Sequence, residues 1–180
     1  MPRFIAFLRA INVGGHTVRM EQLRHLFEAL HFSNVETFIA SGNVIFESQS
    51  DDVTKLETKI ERHLQKFLPY DVATFIRTTD ELAGIARYEP FAAADPGPEG
   101  SSLYIAFLAA APGVEAMRKL MTLRTEADEF HSHGREIYWL RRQSFSESAL
   151  AGGRFEKTVG MPATMRNATT VRKLSAKYCK

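Results

Sequence analysis

Apolar residues recur along this chain with two periods, and the points where one gives way to the other mark its elements. The opening run Phe4-Ile5-Ala6-Phe7-Leu8 has neither period, because every position is apolar. It is too short for a lone helix and leads to a turn carrying Gly14 and Gly15, so it predicts a strand buried on both faces. Met20, Leu23, Leu26, Phe27 and Leu30 then share one helical face, with Glu21, Arg24 and Glu28 opposite. Val35–Ile39 and Val44–Phe46 are β-branched and aromatic, and they flank Ser41-Gly42-Asn43, which predicts a hairpin. Ser48 to Asp52 offers an N-cap for a second helix with its stripe at Val53, Leu56, Ile60, Leu64 and Phe67. Pro69 stops that helix, and Val72–Arg77 reads as a fourth strand.

The resulting order, βαββαβ, is the ferredoxin-like unit, with two helices on one face of a four-stranded antiparallel sheet. A first strand apolar on both sides requires a cover for the other face, and the second half of the chain is the candidate. That half opens on an echo, Tyr104-Ile105-Ala106-Phe107-Leu108. Before it, Thr79-Asp80-Glu81 caps a short helix, and Tyr88–Ser102, with Pro90, Pro96 and Pro98, reads as a linker or flap. After it, Pro112-Gly113 opens a helix whose inner face is Val114, Met117, Leu120 and Met121. Phe130–His133 and Ile137–Leu140 make a hairpin around Gly134-Arg135. Ser144–Gly160 is polar, with one helical turn near Ser148–Leu150, and a terminal helix is expected over Arg166–Leu174, capped by Thr164 or Asn167. The expected fold is α+β: a ferredoxin-like subdomain over 1–78, a helix and linker over 79–101, and a second, degenerate ferredoxin-like half over 102–180.

Composition adds bounds. The 180 residues are 44% hydrophobic, enough for one substantial core or two small ones. The net charge is +2, but residues 135–180 carry ten Lys/Arg against three Asp/Glu, leaving 1–134 acidic. A basic segment on an acidic body suits an anionic partner or docking on the chain's own body. The one cysteine, Cys179, excludes an internal disulfide and a cysteine zinc site, and is expected to fray with the tail. Pro2 and Arg3 lead straight into a strand without a signal peptide, and no apolar run approaches the roughly 20 residues of a membrane helix. A soluble, cytoplasmic protein without a membrane partner is the expectation. Nothing in the sequence sets an oligomeric state.

Three stretches together resemble one bacterial family, that of domain of unknown function 1697. They are Arg9-Ala10-Ile11-Asn12-Val13-Gly14-Gly15 with Met20 and Leu23-Arg24; Ala40-Ser41-Gly42-Asn43-Val44-Ile45-Phe46; and Thr164-Met165-Arg166-Asn167 with Thr170 and Lys173-Leu174. The resemblance runs essentially from end to end and implies a ferredoxin-like first subdomain with a second α+β part. It implies no activity, cofactor or catalytic residue.

Candidate chemistry gathers at the same stretches. Gly14 and Gly15 precede a helix N-terminus, an arrangement that can hold an anion, with Arg9 and Asn12 beside them. A plain strand-to-helix turn explains them as well, since no complete phosphate fingerprint is present. Ser41 and Asn43 fit hairpin chemistry better than a nucleophile. Lys157, Arg166, Asn167 and Thr170, with Arg154 and Lys173, can clamp a carboxylate or phosphate; equally, Arg166 can pair with a body acid while Asn167 caps the helix. His131 and His133 share a strand face, but no third ligand is specified, so no metal is expected. The RNA-binding sheet motif is absent, and the phenylalanines are read as core.

The favoured expectation is a small anionic, perhaps phosphate-bearing, ligand in a cleft. Arg9, Asn12, Gly14 and Gly15 would line one side, and Lys157, Arg166 and Asn167 the other, with Ser41, Asn43 and Thr170 as further candidate binding residues. No cofactor is implied. The alternatives are nucleic-acid binding through the basic C-terminal third, and an interaction module without a ligand.

Overall fold

The structure, a computed structural model, describes residues 1–11, 17–39, 42–91, 102–142 and 153–180. Two compact units divide the chain: Met1–Gly84 with Leu174–Lys180, and Ile85–Lys173.

The first unit runs β1 (Arg3–Leu8), α1 (Met20–Glu28), β2 (Ser33–Thr37), β3 (Asn43–Glu47), α2 (Val53–Phe67) and β4 (Thr74–Thr78). Its sheet order is β2-β3-β1-β4, all antiparallel, as the βαββαβ pattern predicts. Phe4, Ala6 and Leu8 of β1 join Leu23, Phe27, Leu56, Ile60 and Leu64 in the core under the helices. Ile5 and Phe7 point the other way and are equally buried, as are Ile45 and Phe75 beside them. Both faces of β1 are therefore withdrawn from water, as its unbroken apolar run requires. Asp52 caps α2 by accepting from the Lys55 N–H at 3.1 Å. Phe67 departs from the expected stripe: it is 58% exposed at the last turn of α2.

The second unit runs β5 (Ser102–Leu108), α4 (Val114–Met121), β6 (Asp128–His133), β7 (Glu136–Arg141), α5 (Arg154–Val159) and β8 (Ala163–Asn167). Its order, β6-β7-β5-β8, reproduces the first sheet. The degeneracy lies in α5, which has six residues where α2 has fifteen. The expected terminal helix begins too early. Arg166 and Asn167 belong to β8, where Thr164 and Arg166 alternate with Ala163 and Met165 and pair along β5. On α4 only Leu120 is buried, while Val114 is 90% exposed, so its inner face is narrower than expected.

After each fourth strand comes one more helix, α3 (Thr79–Arg87) and α6 (Ala168–Tyr178). Thr78 and Glu81 form a reciprocal capping box at α3, with Thr78 Oγ1 accepting from the Glu81 N–H and the Glu81 carboxylate accepting from the Thr78 N–H. At α6 the Asn167 side chain accepts from the Thr169 N–H at 2.9 Å, which fulfils the capping role. The unit boundaries fall inside both helices. The Cys179 N–H donates to the Ser175 carbonyl at 2.9 Å, and burial raises the pKa of its thiol.

The strand registers make the duplication residue-specific. Ile5 pairs with Arg77 and Ile105 with Arg166; Phe7 pairs with Asn43 and Phe107 with Glu136. Arg77 and Arg166 are both buried, and each donates through Nη1 to the carbonyl of the residue before it, at 2.9 Å.

Candidate functional site

The sequence-predicted residues are distributed over both units. Asn12, Gly14, Gly15 and Ser41 lie outside the described residues, as do most of the 88–102 stretch and the Ser148–Leu150 turn. In the first unit, the Arg9 N–H donates to the Ala73 carbonyl, and Asn43, fully buried, donates from Nδ2 to the Phe38 carbonyl at 2.9 Å. Gly42 stands at φ +80°, its carbonyl accepting from Leu8 N–H. The Asn43 and Gly42 contacts are those of a hairpin and its anchor to β1, and the Arg9 contact extends the β1–β4 pairing. In the second unit, Lys157 is exposed on α5 and Thr170 is half-buried on α6. Arg166 donates to Thr164 Oγ1 at 2.7 Å, and burial pulls its guanidinium down to about 10. Its twin Arg77, placed identically in the first sheet, marks it as part of the repeat. His131 and His133 both meet Tyr88: the Tyr88 hydroxyl lies 2.6 Å from His131 Nε2, and its ring stacks on His133 at 3.9 Å. Among the described residues no cluster of potential metal ligands forms.

A different surface of the first unit gathers concave space and unspent charge, the outer side of α1 and α2. On α2, Lys55, Lys59, Arg62 and Lys66 recur at the helical period and form one exposed stripe. They line an open groove of about 460 Å³ with Thr54, Thr58, His63 and Leu30. A second hollow of about 340 Å³ continues past His31, Phe32 and Gln49. A third, of about 470 Å³, opens on the α1 side between His25, Leu26, His63 and Phe67.

The charges of α2 are segregated by their packing. Glu57 and Glu61 lie on its far side, where their carboxylates accept from the backbone N–H groups of Ile76 and Thr74, both at 2.9 Å. The acids therefore satisfy strand β4 and leave the groove side basic. Lys59 donates to the Leu30 carbonyl at 3.0 Å and lies over the Phe32 ring, while Lys55 reaches Asp52 at 3.3 Å. Arg62 and Lys66 make no ion pair among the described residues. His63 sits between them and α1; burial first, then Lys66, holds its imidazole below the ordinary value, and its Nε2 is buried without a hydrogen-bond partner. Like charges at i, i+4 repel along a helix, so this stripe costs stability, and an anion lying on it would relieve that cost.

Residues 1–138 match the family described as Protein of unknown function (DUF1697). The chain belongs to that family. Its fold is shared with "conserved bacterial protein SP0830 from Streptococcus pneumoniae", with a TM-score of 0.75 and 22% identity over 100% of this chain and 99% of that one. At that identity the likeness speaks for the fold alone. No curated protein matches this DUF1697 chain at a significant level. Among the described residues no helix is long and apolar enough to cross a membrane.

The α2 stripe is present in the sequence at the helical period, masked by the charge around it. Its four cations sit within the stretch 1–134, whose overall charge is acidic, so averaging over that length hides them. Reading Lys and Arg at the helical period, as apolar residues are read, recovers them.

Proposed function

We propose that this DUF1697 protein binds a phosphate-bearing anion, and that the groove over α1 and α2 of its first unit is where the anion sits. The observation that carries this reading is the cationic stripe Lys55, Lys59, Arg62 and Lys66 beside a hollow of about 460 Å³, with the helix's own acids turned to β4. Arg62 and Lys66 meet the anion's charge directly, and Lys59 is held in place by the Leu30 carbonyl. The reading keeps the ligand class expected from the sequence and moves its seat from the glycine turn and the Arg166 strand to α2. No catalytic group is assigned.

A thermal-shift series with inorganic phosphate, nucleotides and sugar phosphates tests it. A ligand binding only the folded state raises the melting temperature by linkage. The shift should fall away in Arg62→Glu/Lys66→Glu, whose side chains are exposed and whose replacement leaves the core intact. A full shift in that double variant would contradict the assignment.

A further inference from the structure

We propose that the ligand of this groove is single-stranded nucleic acid, held by its phosphates along the α2 stripe and by one unpaired base against Phe67 and His63. The inference rests on the anion reading above and adds the polymer and the stacked base. Three features of the first unit support it.

The first is length. Lys55 to Lys66 spans eleven helical steps, about 16 Å at roughly 1.5 Å each. The cations form a line along the helix, with Lys55 at its N-terminal end paired to Asp52, not a cup around one phosphate. A line of exposed cations fits a charged backbone, where each contact releases a counterion.

The second is an aromatic platform round the helix from the C-terminal end of that line, reached through His63, which lines both hollows. Phe67 is 58% exposed, one of few large apolar side chains left in water among the described residues, and its ring centroid is 4.9 Å from that of His63. Counted round the helix, His63 and Phe67 lie about 70° and 110° from the stripe, on the α1 side. They wall the hollow of about 470 Å³ with Leu26 and His25. A cationic track beside an exposed ring is how proteins hold single strands without reading sequence.

The third is local charge. Glu57 and Glu61 are engaged with β4, so they do not neutralise the track. Asp52 meets Lys55 at 3.3 Å, which leaves Lys59, Arg62 and Lys66 to the track.

The test is fluorescence anisotropy of the full chain with short labelled oligothymidylate and oligouridylate, across a salt series, with duplex DNA and inorganic phosphate as competitors. Single strands should bind with a log–log salt slope of about −0.7 per phosphate contact, so roughly −2 to −3 for this track. Arg62→Gln should shallow the slope by about one contact. Phe67→Ala should weaken binding by roughly 5- to 100-fold, the loss of one stacked base, with the slope unchanged. The two labelled strands distinguish RNA from DNA as the source, and binding of either supports the proposal. If phosphate or nucleotides stabilise the protein through Arg62 and Lys66 while oligomers bind no better and Phe67→Ala changes nothing, the nucleic-acid inference falls and the anion reading stands. Duplex binding as tight as single strands also overturns it. If neither oligomers nor small phosphates respond to the α2 variants, both readings fall.

Discussion

At φ +80°, Gly42 holds backbone that side chains rarely adopt, and a Cβ added there would lie 2.6 Å from Ile11 Cγ2 and 3.2 Å from Leu8 Cβ. Strain and clash act together, so Gly42→Ala should cost about 1–3 kcal/mol, readable in urea unfolding. Ile39 presents the opposite case, a β-branched, half-exposed residue at φ +58°. Ile39→Gly should relieve that strain and leave stability unchanged or raised by about 1 kcal/mol. His63 sets a pH dependence. Its imidazole is held below the ordinary value, so the unfolded chain takes up a proton that the folded chain resists. Stability is present above the unfolded pKa of about 6.5 and is lost as pH falls through the lower folded value. Denaturant midpoints measured from neutral to mildly acidic pH should decline less steeply in His63→Phe.

Elements were legible in the sequence where one signal dominated. The unbroken run Phe4–Leu8 predicted a strand buried on both faces, and β1 is one. Asp52 as a cap and Gly42 as a hairpin residue follow from local chemistry that tertiary contacts do not override. β8 was not legible. Pro162 and the mixed residues Ala163–Asn167 carry few β-branched side chains, and the expected helix over Arg166–Leu174 in fact starts two residues later, at Ala168. Phe67 continues the three-and-four spacing of α2 but ends the helix, and the core takes Leu68 in its place while Phe67 lines the hollow beside Leu26 and His63. Periodicity says which face a residue shares, not where the partner surface ends. The anchoring of α2 to β4 is likewise invisible in the sequence, because nothing local pairs Glu61 with Thr74. Glu61→Ala should cost about 1–2 kcal/mol by stripping the Thr74 N–H of its acceptor, checked by equilibrium unfolding.

For the whole molecule, duplication is the organising fact. Two βαββαβ sheets share one strand order, and buried Arg77 and Arg166 answer each other at one register position. Tyrosines follow the same rule. The Tyr88 hydroxyl meets His131 on β6, and the Tyr178 hydroxyl donates to Glu36 near the end of β2 at 2.8 Å. The copies diverge where function is proposed: α2 has fifteen residues and carries the cationic stripe, while α5 has six. The proposed groove lies on the helix whose length differs most between the copies. Amide chemical-shift mapping tests this most directly, by titrating the isotope-labelled full chain with a short oligothymidylate. The account predicts that perturbations concentrate over Lys55–Phe67 and His25–Leu30, and are lost in Arg62→Glu/Lys66→Glu. Perturbations confined to Arg154–Thr170, with α2 silent, would contradict it.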